Sequence, residues 1–181
     1  KYLFRELCQE AGIPTPQHHM ISSEADVDYV VSKFAFPVIV KPVYGSSSAL
    51  VVKVEKRGDL PKVVRYITEN ISEKMESALT NGTQIFAEEY LEGQEVDIDM
   101  LVQNGKLKFY SISDNDPTEE PFFVETGQSI PSSLLEESQR KLVDMAEHAL
   151  EKLGVQQGCI HFEAKWTKQG PFPIEANLRM G

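Results

Sequence analysis

Apolar residues recur along this chain with two periods, and the places where the period changes mark its elements. Leu3, Phe4, Leu7, Cys8 and Ala11 keep helical spacing, and Gly12 followed by Pro14 ends that helix. Ser22 and Ser23 are candidate caps for a second helix near residues 24 to 34. FPVIVKPV is a short continuous apolar run that reads as a buried strand. YGSSS is a turn of small residues, and LVVKV is the partner strand. DLPKVVRYITENI is helical, with Asp59 as its cap and Pro61 in its first turn. QIFAEEYL reads as a strand, EVDIDMLVQNGKLKFYSIS as a hairpin turning at Asn104-Gly105, and FFVETGQSI as a further strand. A helix from about 133 to 153 sets Leu142, Met145, Ala146, Ala149, Leu150 and Leu153 on one face, with Gly154 closing it. Helices mixed with antiparallel sheets make the expected class α+β.

The last segment, residues 158 to 180, reads as a hairpin whose two arms alternate. Ile160, Phe162, Ala164 and Trp166 point one way, and His161, Glu163 and Lys165 the other. In PIEANLRMG, Ile174, Ala176, Leu178 and Met180 form an apolar face, with Glu175, Asn177 and Arg179 opposite. Pairing about a turn near Gln169 sets Glu163 opposite Glu175 and His161 opposite Asn177. Like charges directly opposite each other destabilise a strand pair. Two readings follow: a solvated polar face, or a divalent cation between the carboxylates. Oxygen ligands from two carboxylates and an amide suit magnesium, whereas zinc would require a His or Cys partner that His161 lacks. Arg179 on the same face favours a polyphosphate ligand, whose geometry a guanidinium matches.

Charge narrows the partners. Eighteen Lys and Arg against 28 Asp and Glu give a net charge of −10, a field that repels nucleic acid and anionic membrane. No apolar run is long enough to span a bilayer. Any phosphate must therefore meet a local basic site. Lys41, at the end of the Val38-Ile39-Val40 strand, and the Gly45-Ser46-Ser47-Ser48 turn offer one. No Lys-Ser/Thr follows that turn, so it is not a Walker A loop, and by itself it also reads as an ordinary hairpin turn. Cys8 and Cys159, in apolar contexts without motif spacing, read as reduced core residues of a cytoplasmic protein.

Four segments in this order, KYLFRELCQEAGIPTP, FPVIVKPVYGSSS, FAEEYLEGQEVDID and HFEAKW with PIEANLRMG, resemble the ATP-grasp ligases over essentially the whole chain. EEPFFVETGQSIPSS is similar to the branch that joins amino acids. The resemblance implies an ATP-grasp fold, with its start at residues 1–19, a lid at 20–91 and a core sheet at 92–181, the N-terminal domain of such enzymes lying outside this stretch. It implies ATP and magnesium, with manganese able to replace it, and small amino-acid substrates. Any homo-oligomer would form through regions outside this stretch. Lys1 and Lys41 are implied phosphate contacts, with Ser46, Ser47 and Ser48 as the phosphate turn. Glu88, Glu89, Tyr90 and Leu91 match the adenine segment, and Glu95 the acid that takes the ribose hydroxyls. Glu163, Glu175 and Asn177 match the metal ligands, and Arg179 the arginine of the reaction centre. Glu125 and Gln128 fall in the segment that would line the amino-acid site. The implied reaction is carboxylate–amine ligation through an acyl phosphate. The alternatives are a carboxylase or purine-pathway ligase on the same fold, and a nucleotide-binding module without catalysis. One departure stands out: Ala49-Leu50 occupies the place where the family's phosphate turn usually has a glycine.

Overall fold

Every residue of the strand Val38–Pro42 is buried, and the smaller of two units is built around it. The structure is a computed structural model that describes residues 1–75 and 77–181. The smaller unit comprises Lys1–Tyr2, Pro16–Tyr90 and Thr118–Glu125, and the larger Leu3–Thr15, Leu91–Pro117 and Thr126–Gly181.

In the smaller unit β1 (His18–Ile21), β4 (Ile85–Glu89), β2 (Val38–Pro42) and β3 (Val52–Val54) form one antiparallel sheet in the order β1-β4-β2-β3. The first of these, HHMI, is too short and polar to announce itself in the sequence. Helices α2 (Glu24–Lys33) and α3 (Leu60–Asn70) supply Val27, Val30, Leu60 and Ile67 to a core shared with Val38, Val40, Val54, Ile85 and Ala87. Ser23 caps α2, accepting from the Asp26 N–H. Asp59 holds the N-cap position of α3 but makes no side-chain capping bond: it closes a 3-10 turn with helical backbone angles, and its carboxylate turns to Lys62 Nζ at 3.2 Å.

The larger unit carries β5 (Gly93–Gln103), β6 (Lys106–Asn115), β7 (Gln128–Ser129), β8 (Gln157–Thr167) and β9 (Gly170–Asn177) in the order β7-β6-β5-β8-β9. α1 (Tyr2–Glu10) and α4 (Glu136–Lys152) contribute to the core beneath one face. Alternation decides which residues are inside. Val96, Ile98 and Met100 of β5 and Ile160, Phe162 and Ala164 of β8 join Leu142, Ala146, Ala149 and Leu150 of α4 and Cys8 of α1. Asn104 and Gly105, at φ 54 and 67, make the two-residue β5–β6 turn as expected.

Three further expectations are corrected. FFVETGQSI is not one strand: only Gln128 and Ser129 pair with β6, and Phe122, which belongs to the smaller unit, makes a single bridge to Val52 of that unit's sheet. The segment is divided between two sheets, so no continuous ladder forms. Cys159 is exposed, because its neighbours Ile160 and Phe162 claim the core side of β8; Cys8 is buried, and that burial raises its thiol to about 11. Leu178 and Met180 are 71% and 73% exposed rather than core, because β9 ends at Asn177 and the backbone bends there.

Candidate active site

Glu163 and Glu175 are direct cross-strand partners in the larger unit, as are His161 and Asn177. Two deviations from an ideal hairpin cancel to give this register. The turn is Lys168-Gln169 alone, with Thr167 opposite Gly170, one residue tighter than a turn centred on Gln169. A bulge at Glu163/Ala164 then inserts one residue on β9 and restores the pairing of the carboxylates.

These side chains share the sheet face opposite the core with Glu95, Asp97 and Asp99 of β5. Asn177 Nδ2 donates to Glu163 Oε1 at 3.2 Å. The His161 ring is 3.1 Å from Asp99 through Nδ1, and its Nε2 lies 3.8 Å from Glu163 and 3.9 Å from Asp97. Asn115 Nδ2 donates to Asp97 at 3.1 Å. Lys165, 9% exposed, donates to the Leu91 carbonyl at 3.2 Å and stands 3.4 Å from Glu95. Arg179 departs from its expected place: it lies beyond the end of β9 in the bend, and its guanidinium donates to its neighbour's carbonyl, Met180 O, at 2.7 Å.

Among the described residues no group of three or more His, Cys, Asp or Glu side chains could hold a metal by itself. The donors present are two carboxylates and an amide oxygen in adjacent strands. That set fits an ion such as magnesium, which is bound through one or two carboxylates together with substrate phosphates rather than by a protein cage.

The smaller unit places the other candidates. Lys41 and Glu88 are 6% and 5% exposed, and their charged groups meet at 2.6 Å, with the Phe86 ring beside the ammonium. Glu88 is thus no exposed strand charge. The Glu89 N–H donates to Gln17 O and its carboxylate accepts from the Gln17 N–H, while the Tyr90 N–H donates to Pro37 O. The Lys1 backbone nitrogen lies 3.2 Å from Val43 O. In the turn, Ala49 N–H closes onto Ser46 O, and Ser47 and Ser48 both have positive φ, 50 and 54. Leu50 follows at φ 57. The left-handed backbone that glycine adopts without penalty is therefore retained here by a leucine, at a cost of about 1–2 kcal/mol.

Tyr90 is used through its ring and hydroxyl. Lys53 Nζ lies 4.1 Å from the ring centroid and 2.7 and 2.8 Å from Glu120 and Glu55, and Tyr90 O–H donates to Glu120 at 3.0 Å. Burial opposes the Lys53 charge, and the two carboxylates outweigh it, raising its pKa. Glu125, exposed, groups with this unit, whereas Gln128 accepts from Ser113 in the larger one. Just beyond Gln128, Ser132 and Ser133 donate to Asp114. Burial opposes ionisation of that carboxyl, but these hydrogen bonds prevail and hold it below the usual range.

Sequence reasoning passed over Asp97, Asp99, Lys165 and the Lys53–Glu120 pair as functional candidates. The first two were available from the alternation in QEVDID, which continues the face on which Glu95 lies.

The family model of the ATP-grasp domain matches residues 34–181, and the chain belongs to that family. Carnosine synthase 1 of Homo sapiens is 31% identical over 176 residues, covering 93% of this chain and 21% of that protein. A D-alanine–D-alanine ligase of Acinetobacter baumannii is 29% identical over 93% of this chain and 52% of its own length. This chain therefore spans between about a fifth and half of these curated relatives. Among solved structures, the L-amino acid ligase from Bacillus licheniformis superposes with a TM-score of 0.82 at 31% identity, over 100% of this chain and 40% of that one. The biotin carboxylase from Campylobacter jejuni, at 20% identity and a TM-score of 0.78 over 98% of this chain and 39% of that one, shares the fold. Among the described residues no helix is long and apolar enough to cross a membrane.

Proposed function

We propose that this chain carries the ATP-grasp of an ATP-dependent carboxylate–amine ligase, of the carnosine-synthase kind, that joins amino acids in the cytoplasm. The observation that carries the reading is the Glu163–Glu175–Asn177 donor set, held in register on the sheet face away from the core. The names of the carnosine synthase and L-amino acid ligase relatives support the choice of reaction.

One substrate carboxylate oxygen takes the γ-phosphoryl of ATP, giving an acyl phosphate and ADP. An amine then attacks the acyl carbon, and inorganic phosphate leaves as the amide forms and the nitrogen loses a proton. In this reading Lys1, Lys41 and the Ser46–Ser48 turn hold the phosphates, Glu88 to Leu91 the adenine and Glu95 the ribose. Glu125 and Gln128 orient an amino acid. Arg179 opposes the negative charge that builds on oxygen in both steps. Glu163, Glu175 and Asn177 would hold magnesium, or manganese in its place, which when bound neutralises phosphate charge. No nucleophilic side chain is required, because positioning and charge account for the chemistry.

The test is release of inorganic phosphate by the whole protein across pairs of amino acids. Release that needs both a carboxylate and an amine substrate, and is lost in Glu175→Gln, is the expected result. ATP binding without release across the screen would replace this reading with that of a non-catalytic nucleotide module.

A further inference from the structure

Lys165 is a buried ammonium that the reaction above leaves without a task. It lies on the same face of β8 as Glu163, directly opposite Glu95 in the β5–β8 register. Its side chain is 11% exposed and that of Glu95 27%. The ammonium is 3.4 Å from Glu95 Oε2 and donates to Leu91 O at 3.2 Å, so it joins both ends of the stretch from Leu91 to Glu95. Between them, Gly93 passes so close to β8 that an added Cβ would lie 2.3 Å from Trp166 O. The stretch is thus pressed against β8 at its middle and tied to it at both ends. A lysine this enclosed has already lost its rotamer freedom, so its contacts fix geometry as a surface ion pair does not.

We propose that Lys165 is a positioning residue for nucleoside selection. It holds the solvent-reachable Glu95 carboxylate where it accepts hydrogen bonds from the vicinal hydroxyls of a ribose, and so makes the protein prefer ribonucleotides to 2′-deoxyribonucleotides. A carboxylate is an acceptor only, so it recognises hydroxyl donors and gains nothing from a deoxy position. The inference rests on the proposed reading of residues 88–95 as the nucleoside site.

Equilibrium binding of ATP and 2′-deoxy-ATP, with melting temperatures, tests it in the wild type and in Lys165→Met, Lys165→Arg, Glu95→Gln and the Lys165→Met/Glu95→Gln pair. The wild type should prefer ATP by about tenfold or more, the size of one hydrogen bond to a charged group. That ratio should fall to within about twofold in Lys165→Met and in Glu95→Gln, with no further loss when they are combined, since the two act as one unit. Lys165→Arg should keep most of it. A Lys165→Met protein that retains the full ratio, with or without a lower melting temperature, overturns the proposal. So does a wild type that binds both nucleotides equally. A wild type that binds neither overturns the ligase reading itself.

Discussion

The Lys41 ammonium and the Glu88 carboxylate lie 2.6 Å apart with side chains 7% and 6% exposed, an ion pair largely withdrawn from water whose breaking is costly. Lys41 is consequently a structural as well as a candidate phosphate residue, and a single substitution confounds the two roles. Lys41→Met should destabilise the smaller unit by about 3–5 kcal/mol, because the buried Glu88 carboxylate loses this ion pair. Lys41→Met with Glu88→Leu should recover most of that loss in denaturant titration while ATP affinity, read by calorimetry, stays low. Recovery of ATP affinity in the double variant would remove Lys41 from the phosphate site.

Glu163 and Glu175 are direct cross-strand partners on β8 and β9, which sets two like charges side by side. Glu175→Gln should therefore stabilise the unliganded protein by roughly 0.2–1 kcal/mol through relief of like charge. The same substitution should abolish the magnesium-dependent part of ATP binding. Thermal melts with and without MgATP read both effects, which have opposite signs.

Asp26, three residues after the Ser23 cap, accepts from the Ser23 hydroxyl and the Ser22 N–H and sits 3.0 Å from His19 Nε2. Those hydrogen bonds, from Ser23 first, lower its carboxyl from 3.8 to about 2. A depressed folded-state value means the contribution is complete above the ordinary carboxylate range and fades as pH falls through the folded value. Denaturant curves of the wild type and Asp26→Asn should differ at neutral pH and converge as pH drops from about 4 to about 2. A constant gap across that window would show that the α2 cap does not depend on this charge.

Glu120 is gripped on both carboxylate oxygens, by Lys53 and by the Tyr90 hydroxyl. Tyr90→Phe should cost about 1 kcal/mol, and Lys53→Met more, since Glu55 shares the same ammonium. Hydrogen exchange should quicken at residues 118–125 in both variants and remain unchanged in the β5–β6 hairpin. Because its carboxylates raise the Lys53 pKa, this grip should persist through neutral pH and fail only above the ordinary lysine range.

Much of the fold was legible because period alone identifies long elements. The α4 stripe and the β8–β9 alternation are sustained over many residues, and a face that repeats that often leaves one packing solution. The pairing of Glu163 with Glu175 was readable too, although it rests on a tight turn and a bulge that offset each other and that no pattern announces. What stayed hidden depends on distant partners. HHMI is a strand only because β4 lies beside it. Phe122 leaves its neighbours because β3 offers an edge. Lys41 and Glu88 stand far apart in sequence, so the burial of Glu88 could not be read from the EE pair in which it sits. Arg179 was placed by extrapolating a strand past its end, where the backbone had already bent.

The short excursion of residues 118–125 bears on how such proteins can be recombined. β3 is an outer strand of the smaller sheet, and this excursion covers it: Lys53 N–H donates to Pro121 O at 2.9 Å and Val52 bridges Phe122. The smaller unit is consequently not a cassette that two cuts can lift out. A graft of residues 16–90 into a relative would carry β3 with its edge bare, an invitation to pair with another chain. It would also bring Lys53 without Glu120. Exchange between family members can succeed only if the loop after β6 travels with the rest of the smaller unit, which makes these two stretches, remote in sequence, a single heritable piece.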